Sequence, residues 1–542
     1  MPEQHHSSAW IKEQDDLISE TIETQKSRNL NYVHYGWSIE ASSTLTLEAE
    51  CRIAQDHEAN HSGQWTTKRT IVRRLLLDIS PEELLCSPNF EKDVREAVGK
   101  PSLVDKYKAL DRVFRVWGDV VPIVFEIGAL LSISDLSSNF TQLSSTESAF
   151  RLEDLATYTT AKVNIQGGST SDAPEELITW LSKTRHPSRW SLARVVRVIP
   201  IVDILPDDIK QLLETLYSGL LSYRPLVLDG NSVGGYSFDG TPHALKTIKS
   251  IVVHSDSTVD SLQLSYADGM ITESYGGPGG NKQSFHLQPG IFTPSLPPTL
   301  VTFTFSSIDE FIVEIMVWTD DETMCAIQFI SNKGRVSPHY GGDNGVPRVL
   351  NSEGGALSAF SGKIKKNSYW KRDMVYRVQA IWRHNLAPLG LTRGHQYSDY
   401  IGGSSGVPFN DWPYSKPAET AFISEISIQG EKYIESIQAT YTMSHLGQTS
   451  FVQKPRHGNT TGQGRAFVLR PGEYFVKAHG RYDDYIIQLC LVTSRGRSTP
   501  VHGGSGHGNE FKCEAPDGMC LSFILGKSSK YLHGIMFVWA PI

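Results

Sequence analysis

The feature that most constrains this chain is an internal duplication. Ser331-Asn332-Lys333-Gly334-Arg335, followed by Pro338 and Gly341-Gly342, recurs with the same internal spacing as Thr493-Ser494-Arg495-Gly496-Arg497, Pro500 and Gly503-Gly504. Upstream, Val259-Asp260-Ser261-Leu262-Gln263 recurs as Ile434-Glu435-Ser436-Ile437-Gln438, and Phe285…Leu287…Pro289-Gly290 as Phe467…Leu469…Pro471-Gly472. The spacing between copies changes only across Gly-, Ser- and Thr-rich stretches, where insertions are tolerated. A period of roughly 170 residues is too long for a solenoid, so each copy is expected to be a whole domain. Two similar domains in tandem point to binding rather than chemistry.

Composition sets the outer bounds. With 542 residues, 39% hydrophobic and 20% charged, the chain has room for three or four globular domains. A formal net charge of −8 argues against a general nucleic-acid binder, whose phosphate contacts need a surplus of Lys and Arg. Cys51, Cys86, Cys325, Cys490, Cys513 and Cys520 form no CxxC pair and are too sparse for a disulfide framework, so free buried thiols are expected. The polar opening Met1-Pro2-Glu3-Gln4-His5-His6 carries no signal-like apolar stretch. The longest apolar run, residues 120–133, is too short for a membrane helix and contains Glu126. A soluble, cytoplasmic protein is the expectation, with unconventional release as the alternative route. Asn139-Phe140-Thr141 and Asn459-Thr460-Thr461 then read as chance matches to the glycosylation pattern.

From about Asn231 onward, short alternating segments such as residues 261–266 and 436–441 are separated by Gly, Pro, Asn and Asp, and no amphipathic helix interrupts them. This half reads as all-β. Each copy opens on a Gly-rich stretch: Gly234-Gly235-Tyr236-Ser237-Phe238-Asp239 in the first, Gly402-Gly403…Gly406…Phe409-Asn410-Asp411 in the second. Each continues through a strand pair, a Pro-Gly before a strand, and the Gly-Arg…Gly-Gly stretch. The second copy closes with Leu525-Gly526-Lys527-Ser528-Ser529-Lys530-Tyr531-Leu532-His533-Gly534-Ile535.

This order, over residues 228–384 and 400–542, resembles the jacalin-related lectins, which implies two β-prisms of three four-stranded sheets each. In that family the sugar lies between the Gly-rich opening loop and a terminal Gly-x-x-x-Asp loop. A carboxylate accepts two sugar hydroxyls, exposed backbone N–H groups donate, and glycine lets the backbone come close. The resemblance implies carbohydrate contacts at Gly234 and Gly235 in the first copy. In the second it implies contacts at Gly402, Gly403, Ser529, Lys530, Tyr531 and His533. Ser529 stands where the terminal Gly would be and His533 where the Asp would be; in the first copy the Asp position falls on Tyr376. Both copies thus lack the acidic acceptor. Two readings stay open: a modified glycan site, or prisms that serve as spacers or protein-docking modules.

Residues 1–225 differ in texture and read as an α+β domain. Ser80-Pro81-Glu82-Glu83-Leu84 has the form of a helix start. Residues 107–117 have apolar positions at helical spacing and stop at Gly118. A β-branched run over residues 120–127 follows, then Gly167-Gly168, a helix over 174–181, His186-Pro187-Ser188-Arg189-Trp190, an apolar stretch at 198–205 and a helix over 207–217. The succession over residues 74–216 is similar to the membrane attack complex/perforin family, particularly its fungal members. Trp117-Gly118-Asp119-Val120 stands in for the aromatic-Gly-Thr-His signature. That family makes pores by unrolling two helical clusters into amphipathic β-hairpins. The corresponding segments here, residues 37–70 and 135–166, are short. Glu48, Glu50, Arg52, Asp56, His57 and Glu58 crowd the first, where lipid-facing strands need a continuous apolar face. A degenerate, non-lytic scaffold is the expectation, with membrane attack as the lesser reading.

No catalytic motif stands out. His502-Gly503-Gly504-Ser505-Gly506-His507 fits no standard zinc spacing, and Gly276-Gly277-Pro278-Gly279-Gly280 lacks the Lys-Ser/Thr and helix of a phosphate loop. Asp320-Asp321 and Asp483-Asp484 recur at one repeat position and read as turns. The expectation is therefore a perforin-like α+β domain (1–225) followed by jacalin-like prisms at 228–384 and 400–542. Its role is recognition of a glycan or glycoprotein, with a membrane surface and self-association as further candidate partners, and with no nucleic acid, metal or cofactor. The alternative is an enzyme of small-molecule metabolism with a pocket where the prisms meet the N-terminal domain.

Overall fold

A computed structural model describes residues 10–53, 61–140, 161–168, 177–225, 235–279, 300–304, 310–320, 323–351, 354–368, 371–386, 394–414, 420–445, 448–459 and 465–542. The chain divides into two compact units, Met1–Pro101 with Asp105–Ser218, and Ser102–Val104 with Gly219–Ile542.

The first unit is built on an antiparallel sheet. Strands β1 (Trp10–Lys26), β2 (Ser62–Asp78), β3 (Val120–Leu136) and β4 (Lys162–Gln166) lie in that order, and β5 (Ser191–Pro200) pairs with the first half of β3. The β-branched run 120–127 seeds β3, as expected, but the strand continues for 17 residues. Gly128 is required midway: a Cβ there would overlap the Val72 carbonyl, beside the register shift at Arg73 and Leu75. The charge-rich β1 has no apolar alternation to announce it. It is held by cross-strand ion pairs instead. Glu20 meets Arg69 at 2.7 Å and Arg194 at 2.9 Å, while Arg73 joins Glu126 at 3.0 Å and also pairs with Asp16.

Helix α1 (Ser27–His34) and two shorter helices, Ile39–Ser43 and Leu47–Ile53, occupy the connection between β1 and β2. The connection from β3 to β4 starts with Ser137–Phe140, and residues 141–160 lie outside the described residues. The helix expected from Ser80 is a single 3-10 turn, Pro81–Glu83. Ser80 Oγ donates to the Glu82 carboxylate at 2.6 Å rather than accepting from a backbone N–H, and the helix proper runs over Pro88–Val98. The helices expected over 107–117 and 207–217 are present as Leu103–Trp117 and Asp207–Ser218, and Gly118, at φ +89°, follows the first. No helix among the described residues is long and apolar enough to cross a membrane.

The second unit holds two prisms, each of three antiparallel sheets. In the first prism, Asp373–Arg383 and Ala356–Lys366 form the centre of one sheet, Val259–Tyr266 and Ile248–Ser255 of the next, and Met324–Ser331 and Ile312–Thr319 of the third. The second prism repeats this with Leu532–Pro541 and Met519–Ser528, Ile434–His445 and Thr420–Gly430, and Ile486–Thr493 and Phe475–Tyr482. Leu221–Pro225 pairs with residues 379–383, so the first prism begins before the boundary at 225 that composition suggested. Each prism closes on its own apolar core: Ile251, Leu264, Phe329, Phe360 and Trp382 in one, Ile426, Tyr441, Leu489, Phe523 and Phe537 in the other. At roughly 1.5–3 kcal/mol for each large buried side chain, these cores dominate the stability of the unit.

One sheet departs from the pattern. Every residue of Ile312–Thr319 and Met324–Ser331 is buried, so both faces of this sheet are covered. Ile315, Val317, Ile327 and Phe329 face the first core, while Met316, Trp318, Cys325 and Ala326 join the core of the second prism. Polar contacts fix the joint: Tyr397 Oη donates to Glu314 at 2.6 Å, Asn410 Nδ2 to Gln328 at 3.1 Å and Trp412 Nε1 to the Gly334 carbonyl at 3.0 Å.

Candidate functional site

At one end of the second prism, three turns converge on a glycine loop. Ile401–Gly402 is a two-residue strand paired with Ile535 and Gly534. Gly402 has φ +109°, and a Cβ there would overlap the His533 carbonyl. Gly403 N–H donates to that carbonyl at 2.9 Å, and a Cβ on Gly403 would come within 2.5 Å of the Asp484 carbonyl. The loop therefore threads between two hairpin turns with room for backbone alone, the physical requirement behind the pair.

The turn from Ser528 to Leu532 supplies the other expected residues. Ser529 N–H donates to the Tyr531 carbonyl at 3.0 Å, and Ser529 Oγ lies 2.6 Å from His533 Nε2. His533 is buried; that burial, reinforced by the charge of Lys527, holds its pKa below the ordinary imidazole range, with the Asp484 carbonyl opposing. A neutral imidazole thus stands where the resemblance implied a carboxylate. Lys530 is exposed, with Nζ 5.5 Å from the centre of the Tyr531 ring.

Sequence reasoning named Tyr531 but missed the two tyrosines that join it in an aromatic wall. Tyr485 lies 4.7 Å from the His533 ring and 5.7 Å from Tyr531, and Tyr433 lies 5.2 Å from Tyr485 and 5.5 Å from Tyr531. All three tyrosines are half-buried. Tyr433 and Tyr485 sit on turns far apart in sequence, and only the prism brings them together; the recurring Asp483-Asp484 pair marked the second turn. Asp484 is exposed there, and His507 Nε2 stands 3.6 Å from Asp483. Aromatic faces beside backbone donors, hydroxyls and a carboxylate can stack on a sugar ring and bond its hydroxyls.

The first prism differs. Gly234 lies outside the described residues. Gly235 does not occupy the place of Gly402 or Gly403. Phe238 pairs with Gly362 as Phe409 pairs with Gly526, which aligns Gly235 with Gly406. The same registers, Val378 opposite Gly362 and Ile535 opposite Gly526, put buried Tyr376 at the position of His533, as the sequence frame suggested.

The other motifs resolve simply. A Cβ at Gly279 would overlap the carboxylate of buried Asp260, which pairs with Arg372 at 3.0 Å, so this glycine packs against an ion pair. Among the described residues no group of three or more His, Cys, Asp or Glu is placed to hold a metal ion. All six cysteines lie among the described residues and none is in a disulfide; Cys86 and Cys513 are only partly buried.

The model of the jacalin-like lectin domain matches residues 230–368 and 398–538, more than half of the chain. The chain therefore belongs to the jacalin-like lectin domain family. The matched segments leave out the first unit. Jacalin-related lectin 44 of Arabidopsis thaliana is 25% identical over 329 residues, 56% of this chain, and the chain spans only 50% of that relative's length. Zymogen granule membrane protein 16 of Rattus norvegicus is 28% identical over 150 residues, 27% of this chain and 82% of that protein. Among solved structures, Malaysian banana lectin is 21% identical, covering 28% of this chain and 100% of its own, with a TM-score of 0.23.

Proposed function

We propose that this chain recognises glycans through the turn-lined end of the second prism. The observation that carries the reading is the convergence of Gly402, Gly403, Ser529 and His533 with the rings of Tyr433, Tyr485 and Tyr531. In this reading the tyrosines stack on the sugar, Gly403 lets the glycine loop pack against the turn that carries Asp484, and Asp484 takes over the acceptor role that His533 cannot fill. The first prism has a phenol, Tyr376, at the position equivalent to His533. A glycan array probed with the full chain tests the proposal. Saturable binding that disappears in Gly403→Ala supports it, and a flat array overturns it. The enzyme alternative is not favoured, since the matched family is one of lectin domains.

For the first unit we keep the perforin-like scaffold as a second proposal. Its support is the succession of three 17-residue strands with helical segments in the first two connections. Glu48 and Glu50 lie in the helix Leu47–Ile53, where a lipid-facing strand would need apolar residues, so the scaffold is read as non-lytic. Dye release from liposomes of neutral or anionic lipids would overturn that part.

A further inference from the structure

Lys527 lies on Met519–Ser528, its backbone paired with Gly534 on one side and Pro408 on the other, and it is fully buried. Its ammonium donates to three main-chain carbonyls. One is Ser404, in the glycine loop of the candidate site; the others are Asp343 and, at 2.9 Å, Gly345, both in the first prism. Three donors meet three acceptors, the complete shell that a buried ammonium requires. Because these carbonyls share one nitrogen, the loop at 341–345 is held within about 6 Å of the loop at 402–406, two hydrogen-bond lengths.

Asp343 and Asn344 in the first of these loops, and Ser404 and Ser405 in the second, are exposed. The glycine loop that carries the serines wraps around His533: Gly403 bonds its carbonyl, and a Cβ on Gly406 would come within 2.8 Å of its ring. The rim of the candidate site is thus continuous with a carboxylate and an amide supplied by the other prism. We propose that the first prism completes the site, with Asp343 and Asn344 forming an additional subsite, so that the ligand is an oligosaccharide bridging the two prisms rather than a single sugar. The inference rests on the glycan reading above. Asp343 accepts hydroxyls of the second or third sugar, Asn344 donates and accepts, and the serine hydroxyls line the path between. Lys527 positions both loops without touching the ligand.

Calorimetric titration of the full chain with matched mono- and trisaccharides of mannose, glucose and galactose tests this. A trisaccharide should bind at least about tenfold more tightly than its monosaccharide. Asp343→Ala should reduce trisaccharide affinity about tenfold, as expected for loss of a charge-assisted hydrogen bond, while monosaccharide affinity stays within about twofold. Equal affinities for the two sugar lengths, or an Asp343→Ala change that weakens both equally or neither, would overturn the subsite and leave the glycan reading standing. Absence of binding to any of the sugars would overturn both.

Discussion

Acid should loosen α1 from the sheet of the first unit, and His34 is the group responsible. Its Nδ1 lies 2.8 Å from Ser134 Oγ and 3.2 Å from Ser132 Oγ. Ser132 already donates to the His34 carbonyl at 2.5 Å, so Ser134 is the hydroxyl left to donate to the ring, with Thr67 Oγ1 2.8 Å behind it. That pattern needs an unprotonated Nδ1. Burial drives the pKa from 6.5 to about 4, and the charge of Lys162 on β4 adds to the effect. Arg69, which donates to the Val33 and Trp37 carbonyls at 3.0 and 2.8 Å, is a second cation facing the helix end. The folded pKa lies below the unfolded one, so the stabilisation is complete above pH 6.5 and is lost as pH falls through 4. The full linkage is about 3 kcal/mol. His34→Gln keeps a polar side chain and removes the titration. Hydrogen-exchange protection of residues 27–36, corrected for intrinsic rates, should fall between pH 6.5 and 4.5 in the wild type by about 2 kcal/mol more than in the variant. Parallel profiles for the two proteins would refute the assignment.

Two further outcomes follow from packing. Gly128→Ala should destabilise the first unit by at least about 2 kcal/mol in denaturant unfolding, because the added methyl meets a main-chain carbonyl that cannot rotate away. Trp318→Ala should cost about 3–5 kcal/mol, from a ring that is 1% exposed and packs into the second prism's core, and the loss should appear in the unfolding of the second unit alone.

The repeat made the prisms legible because a β-prism is written locally: alternation, turn glycines and Pro-Gly punctuation recur in both copies. The glycine pair at 402–403 was legible for the same reason, since close backbone approach leaves a residue-type signature. The tyrosine wall was not. Tyr433 and Tyr485 sit on the turns of two different sheets, and nothing in either neighbourhood marks the other. Gly235 answers to Gly406 rather than to Gly402 or Gly403, a distinction that residue type cannot make, because two Gly-rich loops of one prism look alike in sequence and strand register alone separates them. Strand β1 was hidden because its cohesion comes from ion pairs with Arg69, Arg73 and Arg194 rather than from an apolar face.

The two copies have diverged in a way that explains why they travel together. Glu314, opposite Ile330, corresponds to Lys477, opposite Val492; by the same register Met316 corresponds to His479 and Trp318 to Arg481. In the second prism these outward positions remain partly exposed, with Lys477 paired to Glu514 at 3.2 Å and Arg481 paired to Glu510. In the first prism they have become apolar, apart from Glu314, whose carboxylate accepts from Tyr397. A face with Met316 and Trp318 in water would be an aggregation hazard, so this copy requires its partner. The second copy does not present such a face, and it is the one that keeps the glycine pair and the tyrosine wall. Differences along a single sheet face thus make one copy the docking partner of the other, and the Lys527 contacts join the loop at 341–345 of the first prism to the glycine loop of the candidate site.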